Sequence, residues 1–191
     1  MARTLIVVKH AMPALEPGVP SRDWRLSDMG RAQCIPLAAH LAAYTPTIIA
    51  ASAEPKATET GRIVAERLAI PIEIVADLHE NDRTDLGWLG SDELEATIAR
   101  FFAERDQRIM GNETADEAEA RFAATVADIR ARHPHGNIII VAHGTVITLF
   151  VARRTGLNPF PFWKRLGLPS FVVLSLPGYA MQRVVAHVDL A

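Results

Sequence analysis

Cysteine is nearly absent from the chain: Cys34 is the single one among 191 residues. One thiol excludes an intrachain disulfide framework and a cysteine-based zinc site, and it points to a reducing compartment, read here as the cytoplasm. A basic excess is missing as well. Lys and Arg total 20 against 22 Asp and Glu, a formal net charge of −2. A general nucleic-acid binder would carry a basic surplus or stripe, so none is expected. No apolar run reaches the roughly 18 residues needed to cross a bilayer, and the short apolar start, Leu5 to Val8, meets Lys9-His10 at once, which reads as a buried strand rather than a signal peptide. Metal and nucleotide motifs are lacking too: there is no His-Glu-x-x-His and no Gly-x-x-x-x-Gly-Lys-Ser/Thr. His40, His133, His135 and His187 stand in no metal-ligand spacing, so neither metal nor cofactor is implied. Apolar residues are plentiful, 49 % against 22 % charged. That is the balance of one globular domain with a real core, taken as residues 1–191 without repeat or linker.

Periodicity then orders the elements. Leu5 to Val8 has the continuous apolar character of a parallel strand buried on both faces. Ser27 is a good helix N-cap for a segment from about Asp28 to Ala43, with Met29, Ala32, Ile35, Ala39 and Leu41 near one face and Pro36 set to kink it. Thr47 to Ala51 reads as a second strand, Glu54-Pro55 opens a helix to about Leu68, and Ile72 to Val75 is a third strand. Asp77 to Ser91 is polar and reads as a long loop. Helices are expected over Ser91 to Arg108 and Thr114 to His133, the second opened by the capping box Thr114-x-x-Glu117. Asn137 to Ala142 is the strongest strand signal, and Thr145 to Arg154 a helix ended by Gly156. Phe171 to Leu176 and Met181 to His187 flank a turn and read as a closing hairpin. Alternating strands and helices imply an α/β fold, a three-layer α/β/α sandwich around a mostly parallel sheet.

Ligands of such sheets sit beyond the carboxyl ends of the strands. The first strand delivers Lys9-His10, the fourth delivers His143-Gly144 into a helix, and Lys56 follows the second. If these strands are neighbours, two imidazoles and two ammonium groups meet at one edge, with the N-terminal N–H groups of a helix beside them. Singly, each residue reads more simply as a satisfied histidine or a solvated charge. Together they are costly without an anion, and a tetrahedral phosphate fits. Cys34 reads as a small buried hydrophobe, Phe160, Phe162 and Trp163 as core packing, with pocket cover or a dimer contact as the alternatives, and Met110 to Thr114 as helix capping.

The same residues resemble the histidine phosphatase superfamily, the phosphoglycerate mutase-like proteins. Lys9-His10-Ala11 stands where that family has Arg-His-Gly. Leu26-Ser27-Asp28-Met29-Gly30-Arg31-Ala32-Gln33 matches its Leu-Thr/Ser-x-x-Gly-x-x-Gln. Ala51 to Thr60, Ala-Ser-Ala-Glu-Pro-Lys-Ala-Thr-Glu-Thr, is similar to Ser-Ser-Pro-x-x-Arg-Ala-x-x-Thr. Leu78-His79-Glu80 and Val141-Ala142-His143-Gly144 follow in family order, and Pro169-Ser170-Phe171 resembles the closing strand. The resemblance implies a metal-independent phosphomonoester hydrolase acting on a small phosphorylated substrate or a phosphoprotein. His10 is then the nucleophile, forming a phosphohistidine, with its other ring nitrogen held by a carbonyl or carboxylate. Lys9, Lys56, His143 and Gly144 hold the phosphate, and Glu80 is the proton donor, with Asp82 its rival.

Two departures stand out: lysine replaces arginine at positions 9 and 56, and Ala11 replaces glycine. Lysine offers a point charge where arginine offers a planar fork. Arg83 is a candidate for compensation at the phosphate, its other reading being a surface arginine paired with Asp82 or Asp85. The replacements motivate an alternative from another class, a degenerate member that binds a phosphorylated ligand with little or no turnover. Homodimer formation is open on this reading.

Overall fold

Apolar residues run without a break from Leu5 to Val8, and the strand they form, β1 (Thr4–Lys9), lies inside a six-stranded sheet. The structure is a computed structural model describing residues 3–82 and 89–190. The other strands are β2 (Pro46–Ser52), β3 (Ile72–Val75), β4 (Asn137–Ala142), β5 (Ser170–Ser175) and β6 (Met181–Val185), in the order β3-β2-β4-β1-β5-β6. β1 to β4 are parallel to one another, while β5 runs antiparallel to β1 and β6 antiparallel to β5.

Successive strand side chains point to opposite faces, and the sheet separates two cores by that alternation. Leu5, Val7, Ile48, Ala50, Ile138 and Ile140 face one core. It is closed by Phe122, Val126 and Ile129 of α4 (Ala115–Arg132) and by Val146, Leu149 and Phe150 of α5 (Gly144–Thr155). Ile6, Val8, Ile49, Ala51, Ile139 and Val141 face the other, closed by α1 (Asp28–Ala42) and α2 (Pro55–Leu68). Helices on both faces make the three-layer α/β sandwich expected of the sequence. Each large side chain buried this way contributes about 1.5–3 kcal/mol relative to its exposure.

The differences from the sequence reading have local causes. α1 runs unbroken through Pro36, and its buried face is Gly30, Gln33, Cys34, Leu37, Ala38 and Leu41. Met29 and Ile35, expected inside, are exposed. The inner face carries a glycine and a glutamine because it grips a loop, so the largest apolar side chains do not mark it. α3 (Ser91–Ala103) stops five residues before Arg108; the polar run Glu104 to Gln107 offers no core face, and Arg105 turns to pair with Asp116. A short helix not expected from the sequence, α6 (Pro159–Arg165), follows α5. Asn158 caps it and Pro159 occupies its first turn, as suits a residue without an N–H. The capping box of Thr114 and Glu117 is present in both directions, and Gly156 ends α5 with φ of +72°. Among the described residues, no helix is long and apolar enough to cross a membrane.

Candidate active site

β2, β4 and β1 are consecutive in the sheet and parallel, so their carboxyl ends open on one edge. This places His10, His143 and the Ser52–Lys56 segment together. The imidazoles of His10 and His143 lie edge to face with ring centroids 5.3 Å apart, and both residues are buried.

His10 sits one residue past β1, its backbone N–H donating to the Ala142 carbonyl at 3.1 Å. Its Nδ1 lies 2.8 Å from the Ala11 carbonyl oxygen. A carbonyl only accepts, so Nδ1 carries the hydrogen and Nε2 the lone pair. Burial first, then the nearby His143 and the two lysines, hold the imidazole well below the ordinary value of 6.5. The ring is therefore a neutral base with its lone pair on Nε2.

The loop after His10 is held from two helices. Thr60 of α2 receives the Ala11 N–H at 3.1 Å, and Gln33 of α1 receives the Met12 N–H at 3.3 Å while donating to the Leu168 carbonyl at 3.0 Å. The N–H and hydroxyl of Ser27 both donate to the Met12 carbonyl at 3.0 Å, and the same hydroxyl caps α1 by accepting from the Gly30 N–H. A Cβ on Gly30 would lie 2.1 Å from the Met12 oxygen, so only glycine fits there. The Ser-x-x-Gly-x-x-Gln motif is thus a clamp on the His10 loop.

His143 Nε2 lies 2.9 Å from the Ser52 hydroxyl and 3.5 Å from Glu54 Oε1. Glu54 is the residue before α2, and its other oxygen accepts from Lys56 Nζ at 2.5 Å. Lys56 also donates to the Ser21 carbonyl at 2.6 Å. The two side chains are 6 % and 10 % exposed, a nearly buried ion pair inside the site. Sequence reasoning assigned Lys56 and passed over Glu54; the legible signal was an acid two residues before the lysine.

Glu80 comes from the loop after β3. Its backbone N–H donates to Glu54 Oε1 at 2.7 Å, and its carboxylate accepts from Asn81, Thr145 and Val146 N–H groups at 3.0–3.2 Å. Here the structure corrects one expectation: these N-terminal N–H groups of α5 are met by this chain's own carboxylate. A helix N-terminus favours any anion, and Glu80 is the one that reaches it. Asp82 points elsewhere, accepting from Asn112 at 2.8 Å. The strand-end loop is tied down by Arg121 of α4, which donates to the Asp77 and His79 carbonyls at 2.8 and 3.0 Å and pairs with Glu113 at 2.6 Å. Arg121 was not foreseen, because its partners lie 42 and 44 residues away. Met110 to Thr114 therefore does more than cap a helix. Arg83 lies outside the described residues.

Lys9 leaves the end of β1 towards α6, where its Nζ donates to the Leu166 carbonyl at 2.6 Å. A Cβ on Gly144 would lie 3.3 Å from that ammonium and 3.4 Å from the indole nitrogen of Trp163. Gly144 thus gives Lys9 room, and Trp163 borders the site while also packing on the core with Phe160 and the buried Phe162. Cys34 is buried, with its thiol pushed up to about 11, chiefly by burial. Among the described residues, no group of three or more His, Cys, Asp or Glu could hold a metal ion.

Fold and site together define an α/β protein whose central parallel strands end in a pocket of two histidines, two lysines and two carboxylates. The chain belongs to the histidine phosphatase superfamily (branch 1), whose family model matches residues 5–187. Among its relatives is a glucosyl-3-phosphoglycerate phosphatase of Mycolicibacterium vanbaalenii, 28 % identical over 181 residues, covering 86 % of this chain and 79 % of the relative. A solved mycobacterial glucosyl-3-phosphoglycerate phosphatase, in complex with inorganic phosphate, is 25 % identical with a TM-score of 0.74, covering 100 % of this chain and 98 % of that one. A phosphoserine phosphatase mutant of Entamoeba histolytica, in complex with phosphoserine, shares the fold at 15 % identity and a TM-score of 0.77, covering 96 % of each chain.

Proposed function

We propose that this chain is a phosphatase, hydrolysing small phosphomonoesters through a phosphohistidine on His10, without a metal. The observation that carries the reading is the hydrogen bond from His10 Nδ1 to the Ala11 carbonyl, which leaves the lone pair of a neutral imidazole on Nε2, inside the pocket shared with His143. In the first step Nε2 attacks phosphorus in line, the N–P bond forms and the bond to the ester oxygen breaks. Protonated Glu80 gives its proton to the leaving oxygen, and the N–H groups of Asn81, Thr145 and Val146 receive the carboxylate left behind. That carboxylate then takes a proton from water as water attacks phosphorus, releasing inorganic phosphate and restoring neutral His10. Lys9, Lys56 and His143 hold the non-bridging oxygens and supply the charge that a metal supplies in other phosphatases. Gly144 contributes the space in which Lys9 stands. Glycosylated phosphoglycerates, whose phosphate sits on the glycerate, are the first substrate class to try, since the M. vanbaalenii relative is named for one.

One observation favours the second reading, a phosphate binder with little turnover: both lysines already donate to groups of the protein, Lys9 to Leu166 and Lys56 to Ser21 and Glu54. The deciding experiment is p-nitrophenyl phosphate hydrolysis after chelator treatment, wild type against His10→Ala. Chelator-resistant turnover that His10→Ala loses, by at least about a thousandfold, supports the phosphatase. Turnover that survives the substitution removes His10 as nucleophile, and none in either protein across pH 5 to 8 leaves the binder.

A further inference from the structure

A carboxylate has little reason to stand inside a site for anions, yet Glu54 does. Its side chain is nine-tenths buried. Lys56 of α2 lies 2.5 Å from Oε2, His143 at the end of β4 lies 3.5 Å from Oε1, and the Glu80 backbone N–H, from the loop after β3, lies 2.7 Å from Oε1. His10, at the end of β1, is across the ring contact from His143. With Glu80 protonated for the first step, Lys9 and Lys56 bring two positive charges and Glu54 one negative among the described residues, a surplus that balances a monoanion and not a dianion.

A phosphate oxygen that replaces or joins the Lys56–His143 side of Glu54 arrives within hydrogen-bond reach of its carboxylate. An ionised carboxylate only accepts, and so does an unprotonated phosphate oxygen. Lys56 Nζ has one N–H left after Ser21 and Glu54 and can serve one phosphate oxygen, but an unprotonated oxygen set directly against the buried carboxylate repels it. A phosphate hydroxyl resolves the conflict by donating to Glu54, which has lone pairs left after Lys56 and Glu80 N–H are served. Resting on the phosphatase reading only in taking this pocket as the phosphate site, we propose that Glu54 selects the protonation state of the ligand: its carboxylate accepts a hydrogen bond from a phosphate hydroxyl, so the site takes the phosphomonoester monoanion and rejects the dianion.

Sulfate is the probe that separates charge from protonation, because it matches phosphate in shape and carries no proton between pH 5 and 8. Calorimetric titration of the full chain with inorganic phosphate and with sulfate at pH 7 is expected to give phosphate at least about tenfold tighter. Glu54→Gln keeps an acceptor for the Glu80 N–H and adds an amide donor. It is expected to close most of that gap by binding sulfate more tightly. Equal affinities in the wild type, an unchanged gap in Glu54→Gln, or binding of neither ion overturns the inference. If Glu54→Gln does not fold, the wild-type pH profile decides: kcat/KM for a phosphomonoester is expected to fall above about pH 6, where the ester loses its second proton, and a flat profile to pH 8 overturns the proposal. Hydrolysis measured beside the titration keeps the two ideas apart. A phosphate–sulfate gap without monoester hydrolysis removes the phosphatase and keeps the role of Glu54, whereas hydrolysis without the gap does the reverse.

Discussion

The His10 side and the Glu80 side of the site are built by different means. His10 follows a central strand, and its loop is fastened by neutral hydrogen bonds from Ser27, Gln33 and Thr60 and by the close approach of Gly30 to Met12. Glu80 follows the edge strand β3, and its loop is fastened by charges: Arg121 on the carbonyls, Glu113 behind Arg121, Glu54 on the backbone N–H. Backbone-to-helix contacts fix a position rigidly, because displacing them strands buried polar groups. Charged side chains reach further but spend rotamer freedom. The His10 side is thus held more stiffly than the Glu80 side.

Removing the proton itself is the strongest break in that comparison. Glu80→Gln keeps the shape and most acceptors, and should lower kcat by about 10²–10⁴ for substrates with poor leaving groups and far less for p-nitrophenyl phosphate. A leaving-group series checks this, with Asp82→Asn, whose carboxylate faces Asn112, expected to stay close to wild type. Gly30→Ala attacks the stiff side. With its Cβ 2.1 Å from the Met12 oxygen, it should cost at least about 1–3 kcal/mol of stability, read as a lower Tm, and turnover should fall with it as the His10 loop is displaced. Arg121→Ala loosens the softer side; kcat should drop roughly tenfold at little change in KM, and Arg121→Lys, which cannot span two carbonyls and Glu113, should recover only part of it. The smallest effect belongs to His10 and stability. Its pKa is lowered on folding, mainly by burial, so below 6.5 the unfolded chain binds the proton more readily than the folded one. Stability is then full above pH 6.5 and is lost as pH falls towards the folded value. Urea unfolding between pH 5 and 8 should show that slope, shallower in His10→Gln.

The same division explains what could be read from the sequence. Lys9-His10, His143-Gly144 and Ser27 lie at strand ends or at a helix start, where local chemistry marks them, whereas Gly30 and Gln33 are legible only through the family resemblance. Strand β4 and the capping box of α4 are equally local, and the structure has them as expected. Glu54 reaches the Glu80 N–H 26 residues away and Arg121 the carbonyls 42 and 44 residues away; the place of Glu54 two residues before Lys56 is the one local sign of either. The inner face of α1 escapes the apolar pattern for a related reason. Apolar periodicity finds faces that bury oil, and this face holds a loop, so Gly30 and Gln33 replace the large side chains that a pattern search counts.

Lys9 has one more consequence. Its ammonium donates to the Leu166 carbonyl at the end of α6, and both it and the Trp163 indole nitrogen lie beside the Gly144 backbone. A guanidinium is wider and flat, and it needs a slot rather than a socket. Arginine at position 9 would bring that wider group against Gly144, Trp163 and Leu166, so the exchange of lysine for arginine is tied to the packing of α6.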